Sequence, residues 1–296
     1  YVGLDLLGDA LLKVPFLMCL RKIFPNSEIT WMAGKGESIF NSKLKPLSIG
    51  LIDRIFDEYN FGSSFWDFFK KDLGEYDIVI DTQKRLLTTL ILKKIKSKIF
   101  ISPCANFIFS DLVPITINEP NLSRSLVQLS EIFSNQKINY KLSQRSKNSK
   151  KIALCPGASV IWKKWDLENF IELAKYILKL KLTPTFILGP KEKDIRRNLL
   201  REFDIKVKIL STDNPMETIK IAEKCRAGVS NDTGCGHLLA ISGIPMITIF
   251  GPTDHKKFSP LGNKNNLAIS SQEIFKSKNI NTIPPDFVIN KLKVII

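Results

Sequence analysis

Short uninterrupted apolar runs and longer stretches with helical spacing take turns along this chain of 296 residues. Runs at 2–4, 28–32, 76–81 and 98–102 read as strands, with 49–56 as a further short one. Helices are predicted over 9–23, where Leu11, Leu12, Phe16 and Leu20 form the inward stripe, and over 86–94 and 123–133. Pro15 lies inside the first of these and predicts a kink or an irregular first turn. Phe65, Trp66, Phe68 and Phe69 recur at helical spacing within 63–71, the pattern of a core face or a binding groove. The polar, basic stretch 135–151 breaks the alternation and reads as a linker. Beyond it the pattern restarts, with strands at 152–155, 184–188, 207–210, 227–230 and 246–250. The helices between them fall at 166–180, 193–203 and 216–224, and a last one spans 287–294. Strand and helix in alternation predict an α/β fold built on parallel sheets. The predicted division is a Rossmann-like domain over 1–134, the linker, a second Rossmann-like domain over 152–283, and a closing helical segment, 284–296, packing back on the first domain.

Composition narrows the class. With 44% hydrophobic and 25% charged residues the chain can bury a large core and is not of disordered composition. Lys+Arg 44 against Asp+Glu 29 leaves a net charge of +15, suited to nucleic acid, an anionic membrane face or a phosphorylated substrate. Zinc-finger spacing and RNP-like aromatic motifs are absent from the sequence, so nucleic acid is not expected as a partner. Cys19, Cys104, Cys155, Cys225 and Cys235 are scattered, odd in number and never in C-x-x-C, which argues for a reducing cytosol and against disulfides or zinc. Lys13 and Arg21 interrupt the longest early apolar run, short of the roughly 18 residues of a spanning helix. The opening V-G-L-D-L-L-G-D lacks signal-peptide character and reads as the tail of a first strand, with a few residues expected before Tyr1.

Candidate chemistry concentrates in 227–254, A-G-V-S-N-D-T-G-C-G-H-L-L-A-I-S-G-I-P-M-I-T-I-F-G-P-T-D, which reads strand, tight turn, helix, turn, strand, loop. Asp232 is a helix-capping residue type, with Thr233 and Gly234 as first helical positions and Leu238, Leu239 and Ile241 as the buried stripe. Gly243 stops the helix and Pro245 forbids its continuation. The N–H groups of Thr233, Gly234 and Cys235 then point out of the carboxyl edge of a sheet, an arrangement that favours phosphate. The bland alternative is an ordinary crossover whose Asp caps a helix. An N-cap acid, two glycines, His237 and a following G-P-T-D in one short segment favour a site, because ligands sit at the carboxyl ends of adjacent strands.

S-N-D-T-G-C-G-H at 230–237 followed by F-G-P-T-D at 250–254 resembles the signature of the ADP-heptose:lipopolysaccharide heptosyltransferases, the family 9 glycosyltransferases. G-D at 8–9 and P-G-A-S-V-I-W-K-K-W-D at 156–166 match that family in the expected order, so the resemblance covers nearly the whole chain. It implies the GT-B fold, two Rossmann-like domains facing across a cleft, and inverting transfer of heptose from ADP-heptose to a lipopolysaccharide core acceptor. On the resemblance, Asp9 supplies the catalytic base, although as a residue it also reads as a helix cap. The family lysine two before the tryptophan falls on Lys163, which would neutralise the departing diphosphate, while Lys164 occupies a variable place. Asp166 stands where the family usually has proline, and is itself able to cap the next helix. Glu192 resembles the acid that holds the adenosine ribose, equally readable as a first-turn acid, with Asp194 as its rival. Ser159, Asp232, Thr233, Gly234, His237 and Thr253 carry over to the donor side.

Gln83, Lys84 and Arg85, after Asp81 at the end of a strand, are expected near the acceptor on position alone. The sequence contains no D-x-D, so no metal and no cofactor beyond the donor substrate are expected. The implied partners are a nucleotide-sugar donor and a lipopolysaccharide core acceptor. The expected setting is a monomer in peripheral contact with the cytoplasmic face of an anionic inner membrane. Alternatives are a non-catalytic nucleotide-sugar-binding protein and a family 9 enzyme using another nucleotide sugar. An NAD-dependent oxidoreductase is a lesser one, lacking the G-x-G-x-x-G it would need after the first strand.

Overall fold

The structure, a computed structural model, describes residues 1–61, 74–134, 138, 148–203 and 206–296. The aromatic stretch 63–71 and most of the expected linker lie outside the described residues. The chain divides into two compact units, Tyr1–Tyr140 and Lys141–Ile296.

The first unit runs β1 (Val2–Leu4), α1 (Leu7–Ile23), β2 (Thr30–Lys35), α2 (Lys45–Ser48), β3 (Arg54–Phe56), β4 (Glu75–Ile80), α3 (Leu86–Leu92), β5 (Lys96–Ile101) and α4 (Leu122–Glu131). β1 pairs parallel with β2, β2 with β3, and β4 with β5. The nitrogen of Tyr1 donates to the Ile80 carbonyl at 2.7 Å and the Thr82 N–H to the Tyr1 carbonyl at 3.1 Å. These bonds set the start of β1 beside the end of β4, tying the three-stranded sheet β1-β2-β3 to the two-stranded sheet β4-β5. The strand expected over 49–56 shrinks to Arg54–Phe56, because Gly50 turns the chain at φ +77° just before it. α1 runs unbroken through Pro15 and packs on α4, whose Ser123 hydroxyl donates to the Leu12 carbonyl.

The second unit holds β6 (Lys151–Cys155), α5 (Leu167–Lys179), β7 (Thr183–Leu188), α6 (Lys193–Glu202), β8 (Lys208–Ser211), α7 (Pro215–Glu223), β9 (Ala227–Asn231), α8 (Gly234–Ile241), β10 (Met246–Phe250), α9 (His255–Phe258), β11 (Leu267–Ser270), α10 (Ser271–Phe275) and α11 (Pro285–Ile295). Its six strands are all parallel, in the order β8-β7-β6-β9-β10-β11. Helices cover both faces of such a sheet, so β9 and β10 are buried at every residue and read as continuous apolar or small-residue runs. Strand order reverses between β6 and β9, and in open α/β sheets the crevice at that switch point is where ligands bind.

Val288, Ile289, Leu292 and Ile295 of α11 belong to the same core as Phe170, Leu173 and Ile177 of α5. The last helix buries its apolar face in the second unit, where the α5 stripe offers a complementary surface.

Candidate active site at the switch point of the second sheet

The loops after β6 and β9 are tied by one amide. The side-chain nitrogen of Asn231, the last residue of β9, donates to the Pro156 carbonyl at 2.9 Å, and its oxygen accepts the Trp165 N–H at 3.3 Å. Trp165 is fully buried, stands edge-on to Phe170 at 5.0 Å and donates its ring N–H to the Ile283 carbonyl at 2.8 Å. That anchor fixes the short 3₁₀ turn Ile161–Lys163, and with it the lysine. Lys163 Nζ meets Asp232 Oδ2 at 2.7 Å across the switch point, the lysine side chain 27% exposed and the aspartate 6%.

The Asp232 carboxylate is therefore committed to Lys163, and it does not cap the helix as expected. The cap position falls on Thr233, in extended conformation, and no side chain caps α8, which begins at Gly234. Lys163 offers the carboxylate a full cation in a sheltered place, a stronger partner than a backbone N–H, so the long-range partner wins. The uncapped start of α8 keeps the positive end of the helix dipole directed at the loop. One turn along, His237 is buried, and that burial lowers it to about 4, so its imidazole is neutral; Lys163 acts the same way and Asp232 opposes it. Cys235 Sγ donates to Cys155 Sγ at 2.7 Å, and burial, with that bond adding, holds Cys155 well above its ordinary range, so Cys155 stays a thiol.

Glu192 occupies the cap position of α6 but makes no cap bond. A Cβ placed on Gly157 would stand 2.5 Å from Glu192 Oε1, and one on Gly189 would stand 2.6 Å from Oε2. Both loop glycines thus make room for this carboxylate beside the switch point. Asp194 instead turns to solvent, pairing with Arg197 at 3.4 Å. Ser159 is exposed in the loop after β6, and Thr253 is half-buried in the loop after β10. Glu192, Lys163, Asp232, His237, Ser159 and Thr253 all follow the carboxyl ends of strands in one sheet.

In the first unit, Asp9 is the third residue of α1 and not its cap, which is Leu6. Its carboxyl is raised from the ordinary value by burial, with Asp5 adding and Lys13 opposing. A side chain on Gly8 would project into open space, so no neighbouring atom requires the glycine. Asp81 is wholly buried and structural: its oxygens accept from Thr89 and Ser102 at 2.8 and 2.9 Å and from the Gln83 N–H at 2.8 Å. Gln83 folds against Gly3, and Lys84 and Arg85 are exposed between β4 and α3.

A family model described as glycosyltransferase family 9 (heptosyltransferase) matches residues 117–283, more than half of the chain. The chain belongs to glycosyltransferase family 9. Among curated relatives, lipooligosaccharide heptosyltransferase 2 of Campylobacter jejuni (serotype O:6) is 27% identical over 272 residues, covering 88% of this chain and 83% of that one. Among solved structures, Escherichia coli heptosyltransferase WaaC with ADP superposes with a TM-score of 0.72 at 16% identity, covering 100% of this chain and 99% of that one. A family 9 glycosyltransferase of Veillonella parvula gives 0.70 at 19% identity, covering 99% and 96%. At these identities the structures establish the GT-B fold, and family membership makes the chain a glycosyltransferase.

Three residues have site roles that the sequence pattern of this glycosyltransferase does not assign. Asn231 lies unmarked within the S-N-D-T-G-C-G-H motif, yet it ties the two loops. Asp5 and Lys13 form a buried ion pair at 3.0 Å beneath Asp9. The signal for the pair was present: a lysine amid the buried stripe of a helix requires a buried partner.

Proposed function

We propose that this glycosyltransferase transfers heptose from ADP-heptose to a lipopolysaccharide core acceptor with inversion at the anomeric carbon. The Asp9 carboxylate takes the proton of the acceptor hydroxyl as that oxygen attacks. The bond to the diphosphate breaks on the opposite face, and ADP departs with the electron pair. Lys163 and the first N–H groups of α8, at Thr233 and Gly234, receive the charge developing on the diphosphate, in place of a metal. Glu192 takes the ribose hydroxyls, while Asp232, His237, Ser159 and Thr253 line the donor.

The observation that carries this reading is the Lys163–Asp232 pair at the switch point, beside an uncapped helix start. Held at the switch point and 27% exposed, the Lys163 ammonium can meet a diphosphate while keeping its bond to the buried Asp232 carboxylate. The relatives support the donor and acceptor classes by their names: heptosyltransferase for lipooligosaccharide, and WaaC solved with ADP.

Calorimetric titration with ADP, ADP-heptose, UDP-glucose and NAD, with and without EDTA, tests the donor assignment. Binding of ADP and ADP-heptose alone, indifferent to EDTA, is the expected result, and preference for UDP-glucose or NAD overturns it. Asp9→Asn tests the chemistry. It abolishes transfer with ADP affinity unchanged if Asp9 is the base; loss of both together makes Asp9 structural. Transfer-dead wild type that still binds ADP-heptose identifies a non-catalytic binder.

The acceptor side rests on position: Gln83, Lys84 and Arg85 are offered to acidic groups of the core. The net charge of +15 draws a monomer to the cytoplasmic face of an anionic inner membrane. Salt-sensitive co-sedimentation with phosphatidylglycerol vesicles checks that contact, and failure to bind them at low salt removes it.

A further inference from the structure

A polar cluster lies directly beneath Asp9. Lys13 follows Asp9 by one helical turn on α1, in a run where every residue from Ala10 to Leu17 is buried, and is itself 7% exposed. An ammonium in such a place requires partners. Its Nζ donates to the Leu4 carbonyl at 2.9 Å and to Asp5 Oδ1 at 3.0 Å. The other Asp5 oxygen accepts from the Trp31 ring N–H at 3.0 Å and from the Ser38 hydroxyl. One side of the pair thus joins the end of β1 to α1, and the other joins the β1–α1 turn to β2 and the loop beyond it. Gly8 and Asp9 emerge from this turn.

The charges also act on Asp9, and in opposite senses. Lys13 favours its carboxylate; Asp5 disfavours it, adding to the larger effect of burial. On α4, packed against α1, Arg124 and Glu131 are paired with each other at 2.7 Å.

We propose that Lys13 is a positioning residue of the transfer reaction: through its bonds to Leu4 and Asp5 it fixes the turn that presents Asp9 and sets a cation beside that carboxylate. The proposal rests on the reading of Asp9 as the base. A purely structural pair predicts something different, namely lost stability on removal of either partner and no movement of the Asp9 titration.

The test is ¹³C NMR of the carboxyl-labelled enzyme, with the Asp9 signal assigned by its absence in Asp9→Asn, beside the pH profile of kcat/KM for transfer from ADP-heptose. Lys13→Met raises the Asp9 midpoint, and the acid limb of kcat/KM with it, by roughly one pH unit. Asp5→Asn moves both the other way, because it removes the opposing charge and leaves the ammonium. The double variant Asp5→Asn/Lys13→Met returns both to near the wild-type position. Should Lys13→Met not fold, the contrast between Asp5→Asn and the double variant carries the test. Shifts of one sign in both single variants, or a fallen Tm with the Asp9 midpoint unmoved, overturn the proposal. If Asp9→Asn still transfers, the base assignment has failed and this proposal with it. If Asp9→Asn is inactive but Lys13→Met leaves the midpoint in place, the base stands and the role of Lys13 falls.

Discussion

His237 carries no proton at neutral pH because folding removes it from water. Burial takes its imidazolium from an ordinary value near 6.5 down to about 4, Lys163 acting in the same sense and Asp232 against it. Between those values the unfolded chain binds a proton that the native chain excludes. Stability is therefore complete above about pH 6.5 and is lost as pH falls toward 4, by on the order of 3 kcal/mol across the window. His237→Gln removes this dependence. Urea unfolding midpoints followed from pH 7.5 to 4.5 should fall more steeply for the wild type than for the variant. Parallel curves would mean that the native imidazole already holds its proton. The same neutrality bears on the proposed chemistry, since a neutral imidazole beside the diphosphate adds no third charge to the Lys163–Asp232 pair.

At the scale of elements, the start of α5 depends on one side chain. Trp165 has no exposed surface, packs edge-on against Phe170 and hands its ring N–H to Ile283, just ahead of α11. Trp165→Ala should cost about 3–5 kcal/mol, the usual range for deleting a buried aromatic. It should also weaken ADP binding, because the Ile161–Lys163 turn loses its anchor. Chemical denaturation and calorimetry measure the two effects, and a stability loss with ADP affinity intact would detach Lys163 from the site. Such elements were largely legible in the sequence. β9 and β10 are covered on both faces, so they appear as unbroken apolar or small runs, and α8 shows its glycine stop. Two of the expected helix caps do not form. Asp232 and Asp166 are both capping residue types at helix starts, and neither side chain caps. Asp232 is held by Lys163, 69 residues away, and Asp166 accepts from Asn281, 115 residues away. Capping rules weigh neighbours within one turn, whereas these bonds were decided by the sheet order. Lys13 illustrates the same limit, its buried partner visible only once β1 and α1 are folded together.

On the scale of the whole molecule, the proposed donor chemistry is concentrated in one unit. Lys163, Glu192, Asp232, Thr233 and His237 all lie within Lys141–Ile296, on a six-stranded sheet whose core runs from Ile152 to Ile295. Asp9 and the Asp5–Lys13 pair lie in Tyr1–Tyr140. Such a division predicts that nucleotide binding and transfer are separable by truncation. A fragment covering 148–296 contains every strand of its sheet and keeps the Asn231, Trp165 and Asn281 bonds internal. It should therefore fold with a cooperative thermal transition and bind ADP within about threefold of the full chain, a difference below 1 kcal/mol. It should transfer nothing, since it lacks the proposed base. Loss of ADP affinity in a folded fragment would mean that the first unit supplies part of the nucleotide site, and the donor assignment would have to be rebuilt around both units.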